Sequence, residues 1–145
     1  MSKRLGLVVM VVLLLCTTSA VVSAKELPLA VTGGYLVVPS HTTGVKPLTV
    51  YDSITQGETN WEYQQVSSYT NSLNVDLDWG KPSNSLQLTI YSPDGYVFGP
   101  YYDSSDGVID GRINLYIGNT NGIAEGTWMY KIYGYSVSGT QTYSI

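Results

Sequence analysis

Ser72-Leu73-Asn74-Val75-Asp76-Leu77-Asp78-Trp79, then Gly80-Lys81-Pro82-Ser83-Asn84, then Ser85-Leu86-Gln87-Leu88-Thr89-Ile90-Tyr91 is the stretch that decides the fold. Leu73, Val75, Leu77 and Trp79 alternate with Asn74, Asp76 and Asp78, and Leu86, Leu88 and Ile90 alternate with Gln87 and Thr89. A period of two buries one face of a strand and wets the other. The Gly/Pro/Ser/Asn run between the two segments supplies the turn.

The same period continues downstream. Ile113, Leu115 and Ile117 alternate with Asn114 and Tyr116, and Trp128, Tyr130 and Ile132 alternate with Met129, Lys131 and Tyr133. Upstream, Asn60 to Val66 reads as a strand with Trp61 and Tyr63 on one face, and Thr140 to Ile145 as a last strand. Ser92-Pro93-Asp94-Gly95 is a tight turn, and Asp103 to Gly107 and Gly118 to Gly122 are longer loops. No i, i+3, i+4, i+7 apolar pattern lies between caps, so little helix is expected. Short strands at this spacing predict an all-β, antiparallel sandwich or barrel. Residues 48–145 are read as the compact domain. Residues 25–47 are read as an N-terminal extension in which Tyr35-Leu36-Val37-Val38 forms an edge strand.

Residues 1–24 have the pattern of a secretory signal peptide. Lys3 and Arg4 precede an uncharged apolar run from Leu5 to Leu15, and Val22-Ser23-Ala24 offers small residues for cleavage. The run falls short of the ~20 apolar residues of a spanning helix, so a cleaved signal with no membrane span afterwards is the leading expectation, and an uncleaved N-terminal anchor is the alternative. Cys16 lacks the small preceding residue of a lipobox. Cleavage after Ala24 leaves 121 residues without Cys, with five basic and eleven acidic side chains. That composition excludes disulfides and Cys/His zinc sites. It also lacks the basic footprint of a nucleic-acid-binding protein.

Several segments resemble the bacterial pre-peptidase C-terminal domain family, which also occurs in archaeal secreted proteins. They are Gln56-Gly57-Glu58-Thr59, the two strands quoted first with Ser92-Pro93-Asp94-Gly95, Gly126 to Tyr135, and Gly139 to Ile145. The resemblance spans about residues 52–145. It implies a small jelly-roll-like β-sandwich, secreted, and commonly joined to peptidases whose secretion, stability or substrate contact it aids. Some relatives bind calcium. Ser85, Gln87 and Ser92 stand where the family often has Asp, which weakens the calcium inference, and no peptidase precedes the domain here.

Few residues suggest chemistry. Asp103, Asp106 and Asp110 lie in a Gly-containing loop able to offer oxygens to calcium, the one cofactor the sequence raises. An EF-hand register fails, because with Gly at position 107 the loop would start at Tyr102 and end at Ile113. A solvated turn uses the same residue types. Asp76 and Asp78 share a strand face at a spacing compatible with a glycosidase pair, but a wet outer face is the simpler reading. His41 is the only histidine, in a loop-like Pro39-Ser40-His41-Thr42 stretch, and no Gly-x-Ser-x-Gly elbow accompanies it.

The 13 tyrosines are the most distinctive feature. Tyr130 shares a face with Trp128 and Ile132 and belongs to the core, whereas Tyr133 and Tyr135 lie on the opposite face with Lys131. Tyr101 and Tyr102 precede the acidic loop. Tyr133, Tyr135, Tyr101 and Tyr102 are therefore the candidate ligand-binding residues, since exposed aromatic rings bury much area at low entropic cost. The leading expectation is a secreted or cell-surface, non-catalytic module that contacts protein or polysaccharide. A carbohydrate-binding module, with or without calcium support, is the alternative. A small secreted hydrolase ranks third, because no nucleophile–base pair is evident.

Overall fold

The computed structural model describes residues 29–40 and 49–145. The signal-like segment and His41 lie outside them. Ten strands make two antiparallel sheets. They are β1 (Ala30–Thr32), β2 (Tyr35–Pro39), β3 (Tyr51–Thr55), β4 (Thr59–Val66), β5 (Ser72–Asp78), β6 (Ser85–Tyr91), β7 (Val97–Tyr101), β8 (Arg112–Asn119), β9 (Gly126–Ser136) and β10 (Thr140–Ser144). The large sheet runs β1-β2-β8-β5-β10-β3, and the small sheet runs β4-β9-β6-β7. The sole helical feature among the described residues is a 3-10 turn at Asp103–Asp106. The protein is all-β, a β-sandwich.

Alternation builds the sandwich as its sequence foretells. Leu73, Val75 and Leu77 of β5 and Ile113, Leu115 and Ile117 of β8 point inward from the large sheet. Leu86, Leu88 and Ile90 of β6 and Trp128, Tyr130 and Ile132 of β9 meet them from the small one. Most sequential strands cross from one sheet to the other. Among the described residues only β1–β2 and β6–β7 are hairpins. Each sheet is thus assembled from segments distant in the chain.

An aromatic cluster ties the sheets together. Tyr35 packs edge-on against Tyr96, Phe98 and Trp128, with ring centroids 5.6, 5.4 and 5.8 Å away. Its hydroxyl donates to Asp94 Oδ2 at 2.9 Å and accepts the Ala124 N–H at 3.2 Å. Tyr35 and Val37 are fully buried. The segment expected to be an extension with an edge strand therefore contributes core residues. β2 is an interior strand, between β1 and β8, and β1 takes the edge. The domain accordingly reaches N-terminal to residue 48. Burying Tyr35 and Val37 against the other sheet is what holds β2 in place.

Asp76 also departs from its expected wet face. Arg112 grips it as a fork, Nε to Oδ1 at 2.6 Å and Nη2 to Oδ2 at 2.7 Å, and leaves Asp76 8% exposed. The hydrogen bond to Asp76, above all, holds the guanidinium pKa above its ordinary value. Arg112 lies across from Asp78 in the β5–β8 ladder, so the pair is diagonal and its long side chain covers its carboxylate partner.

At one end, the β3–β4 turn presses onto β9. A Cβ on Gly134 would collide with the Thr55 carbonyl. Glycine lets the Gly57 N–H reach Gly134 O at 2.9 Å and the Gly134 N–H reach Glu58 O at 3.0 Å.

Tyr101 stands apart from the other buried tyrosines. It is 5% exposed and its hydroxyl has no hydrogen-bond partner among the described residues. Burial pushes its pKa up to about 12. Burial likewise raises Tyr130, Tyr143 and Tyr35. Unfolding lets all four titrate near their ordinary value of about 10, so above that pH the unfolded chain sheds protons first. Stability is therefore intact below pH ~10 and falls as pH rises toward 12, by at most ~1.4 kcal/mol per pH unit for each such tyrosine. Tyrosinate absorbance should show these four ionising together with loss of the fold. Tyr101→Phe should raise stability by about 1 kcal/mol in urea, because it removes an unpaired buried hydroxyl. A loss of stability would reveal a partner for that oxygen.

Candidate functional site

The outer face of the small sheet gathers the exposed rings. β9 is its middle strand, with β4 on one side and β6 on the other. Registration lays three rows across it. Tyr63, Met129 and Tyr91 form one, Trp61, Lys131 and Thr89 the next, and Thr59, Tyr133 and Gln87 the third. Tyr135 extends the face beyond the third row. Side chains two apart on a strand share a face, so Met129 to Tyr135 spans about 20 Å of β9.

Four of the rings meet in pairs. Trp61 and Tyr91 lean together over the middle strand, with centroids 5.5 Å apart and planes at 42°. Tyr102 meets Tyr135 edge-on at 5.0 Å, and the Gln87 amide donates to the Tyr102 hydroxyl at 2.7 Å. Tyr63 is 60%, Tyr135 51% and Trp61 43% exposed. Tyr91, Tyr102 and Tyr133 are half-buried. Six aromatic rings thus share one surface, resting on a core of Leu88, Ile90, Trp128, Tyr130 and Ile132. Rings that already meet in pairs on a sheet have less side-chain freedom to lose at the moment of contact.

Of the residues expected to bind, Tyr133, Tyr135 and Tyr102 come together here. Tyr101 does not. β7 turns its ring into the core, where the expected exposure is lost. Trp61, Tyr63 and Tyr91 complete the face. The shared side of Trp61 and Tyr63 is visible in the alternation of β4. Their meeting with Tyr91 and Tyr133 depends on the β4–β9–β6 pairing.

The acidic loop holds the main chain. Asp103 Oδ1 accepts the N–H groups of Asp110 at 3.2 Å, Gly111 at 3.0 Å and Arg112 at 3.2 Å. Asp106 Oδ1 accepts the Val108 N–H at 3.2 Å, and Oδ2 accepts Asn114 N–H at 2.9 Å. Both carboxylates are buried. Asp106 is raised in pKa, mainly by that burial. Ser40 N donates to Asn114 O where β2 leaves the sheet, and Asp106 supplies the acceptor that a longer β2 would have offered. Asp110, by contrast, is exposed. Amide hydrogens thus converge on the oxygens that a calcium ion would need. Among the described residues no group of three or more His, Cys, Asp or Glu side chains is placed to hold a metal ion.

A depression of about 280 Å³ opens on the large sheet, where β10 splays from β5, lined by Tyr51, Asp78, Trp79, Gly80, Thr142, Tyr143 and Ser144. Its volume is at the lower limit of small-molecule sites, roughly 300–1,000 Å³, and Asp78 is its one carboxylate. No helix of the described residues is long and apolar enough to cross a membrane.

No family model matches the chain. Over 52 residues it is 54% identical to an "Uncharacterized protein" of Archaeoglobus fulgidus, covering 36% of this chain and 70% of that protein. The chain belongs to the same family as this Archaeoglobus protein. Membership in this Archaeoglobus family carries no activity with it, so the function rests on the geometry of the face.

Proposed function

We propose that the protein is a secreted or cell-surface, non-catalytic module that binds macromolecules through the outer face of its small sheet. One observation carries this reading. Trp61, Tyr63, Tyr91, Tyr102, Tyr133 and Tyr135 share that face, and three of them are more than two-fifths exposed. A contiguous aromatic patch on a soluble sandwich marks a contact surface. The two-sheet architecture and the signal-like N-terminal sequence support an accessory role of the pre-peptidase C-terminal kind. Asp76 is committed to Arg112, and Asp103 and Asp106 to main-chain amides, so these carboxylates serve the fold.

The test is binding of the pure protein to an immobilised panel of polysaccharides and envelope proteins. Wild type should bind at least one member, and the double variant Trp61→Ala/Tyr135→Ala should bind it at least about tenfold more weakly, as expected when exposed aromatic anchors are removed. Equal binding by the double variant would move the contact surface elsewhere. Turnover of any panel member would overturn the non-catalytic reading.

A further inference from the structure

Among the described residues the aromatic face carries one charge, and it is positive. Lys131 sits in the central row of the central strand, flanked by Trp61 of β4 and Thr89 of β6. It makes no ion pair among the described residues, whereas Arg112 is held by Asp76. Alternation turns Glu62, the carboxylate of β4, to the inner side, where it accepts the Tyr143 hydroxyl at 3.1 Å. The remaining acidic groups among the described residues lie in turns, in the 103–110 loop, just ahead of β9 or on the large sheet. In a chain of formal net charge -4, the described residues thus leave this face without carboxylates and place one ammonium at its centre.

We propose that this face binds a polysaccharide in which uronic acids alternate with neutral sugars. Trp61 and Tyr91 would stack on the rings and Lys131 would pair with a uronate carboxylate. The proposal rests on the reading of this face as the binding surface and names its occupant. Aliphatic side chains are scarce between the rings. Their places are taken by Thr59, Thr89 and Gln87, whose hydroxyl and amide groups match sugar hydroxyls. An apolar protein surface would bury the Lys131 ammonium without a partner, which is costly, whereas a carboxylate satisfies it by a charge-assisted hydrogen bond. A nucleic acid would offer rings and anions too, but its closely spaced phosphates call for several cations. One cation fits one carboxylate per contact.

Affinity electrophoresis of the full chain in gels containing hyaluronan, unsulfated chondroitin or heparosan, each an alternation of a uronate with a neutral sugar, or the carboxyl-reduced form of each, tests this. The wild type should be retarded by at least one uronate polymer, and less by its reduced form, with the retardation falling as salt is added. Lys131→Met keeps the aliphatic stem and should weaken uronate binding about tenfold while leaving binding to the reduced polymer unchanged. Trp61→Ala should weaken both. Thermal melts of both variants establish that they are folded. No retardation by any of the three polymers, or equal retardation by the native and reduced forms, would overturn the uronate assignment. A neutral glycan or an envelope protein bound in a Trp61-dependent manner would overturn it too, but would leave the face itself as the binding surface.

Discussion

Asp103→Ala is expected to destabilise the protein by about 3 kcal/mol, because removing one carboxylate strands three main-chain N–H groups. Those of Asp110, Gly111 and Arg112 all point at Asp103, and Gly111 reaches both oxygens, at 3.0 and 3.3 Å. Asp103 is 5% exposed, so water cannot readily replace it. The loss lies at the start of β8, whose Arg112 holds Asp76, so the damage should spread to the β5–β8 ladder. Asp103→Asn keeps one acceptor oxygen and should cost clearly less. Urea unfolding gives both numbers. A change under about 0.5 kcal/mol for the Ala variant, as is usual for surface sites, would mean the loop is not a structural staple. Added calcium should leave the wild-type melting midpoint where it is. A rise that Asp103→Asn abolishes would support the calcium reading instead.

Trp128→Ala should cost more still, about 3–5 kcal/mol, as for other buried tryptophans. Trp128 is wholly buried, stacks on Phe98 at 6.3 Å with planes 12° apart, and meets Tyr35 edge-on at 5.8 Å. Its indole N–H donates to Ala124 O at 3.0 Å. Truncation opens a cavity between β2, β7 and β9 and removes the ring against which Tyr35 anchors its strand. Native stability of a domain this size is roughly 5–15 kcal/mol, so the variant should be marginal at room temperature. The expected result is a large drop in urea midpoint and early hydrogen exchange in β2. A drop smaller than about 1 kcal/mol would mean the aromatic cluster does not join the sheets.

The strands that alternate strongly are legible in the sequence. β5, β6, β8 and β9 each bury three or more apolar side chains on one face, and period two finds them. β3 escapes because, as an edge strand, it buries only Ile54. β7 escapes because Gly99-Pro100 interrupts it beside a register shift opposite Leu88 and Ile90. β2 is readable as a strand, but its interior position depends on its pairing with β8. The same limit governs the site. Alternation puts Tyr133 and Tyr135 opposite Trp128, and Trp61 with Tyr63, yet only the β4–β9 register brings the two sets together. Asp103 and Asp106 carry the residue type of a metal ligand. Their actual partners are main-chain amides, which are common to every residue and leave no mark in the side-chain sequence.

Binding through one face of the small sheet is tested most directly by cosedimentation with purified cell envelopes of the producing organism. Wild type should pellet with the envelopes. Trp61→Ala/Tyr135→Ala, altered only on the small sheet, should stay in the supernatant. Tyr116→Ala, altered on the outer face of the large sheet where Tyr116 is 39% exposed, should pellet like wild type. Loss of pelleting by Tyr116→Ala with retention by the double variant would contradict the account and assign the contact surface to the large sheet.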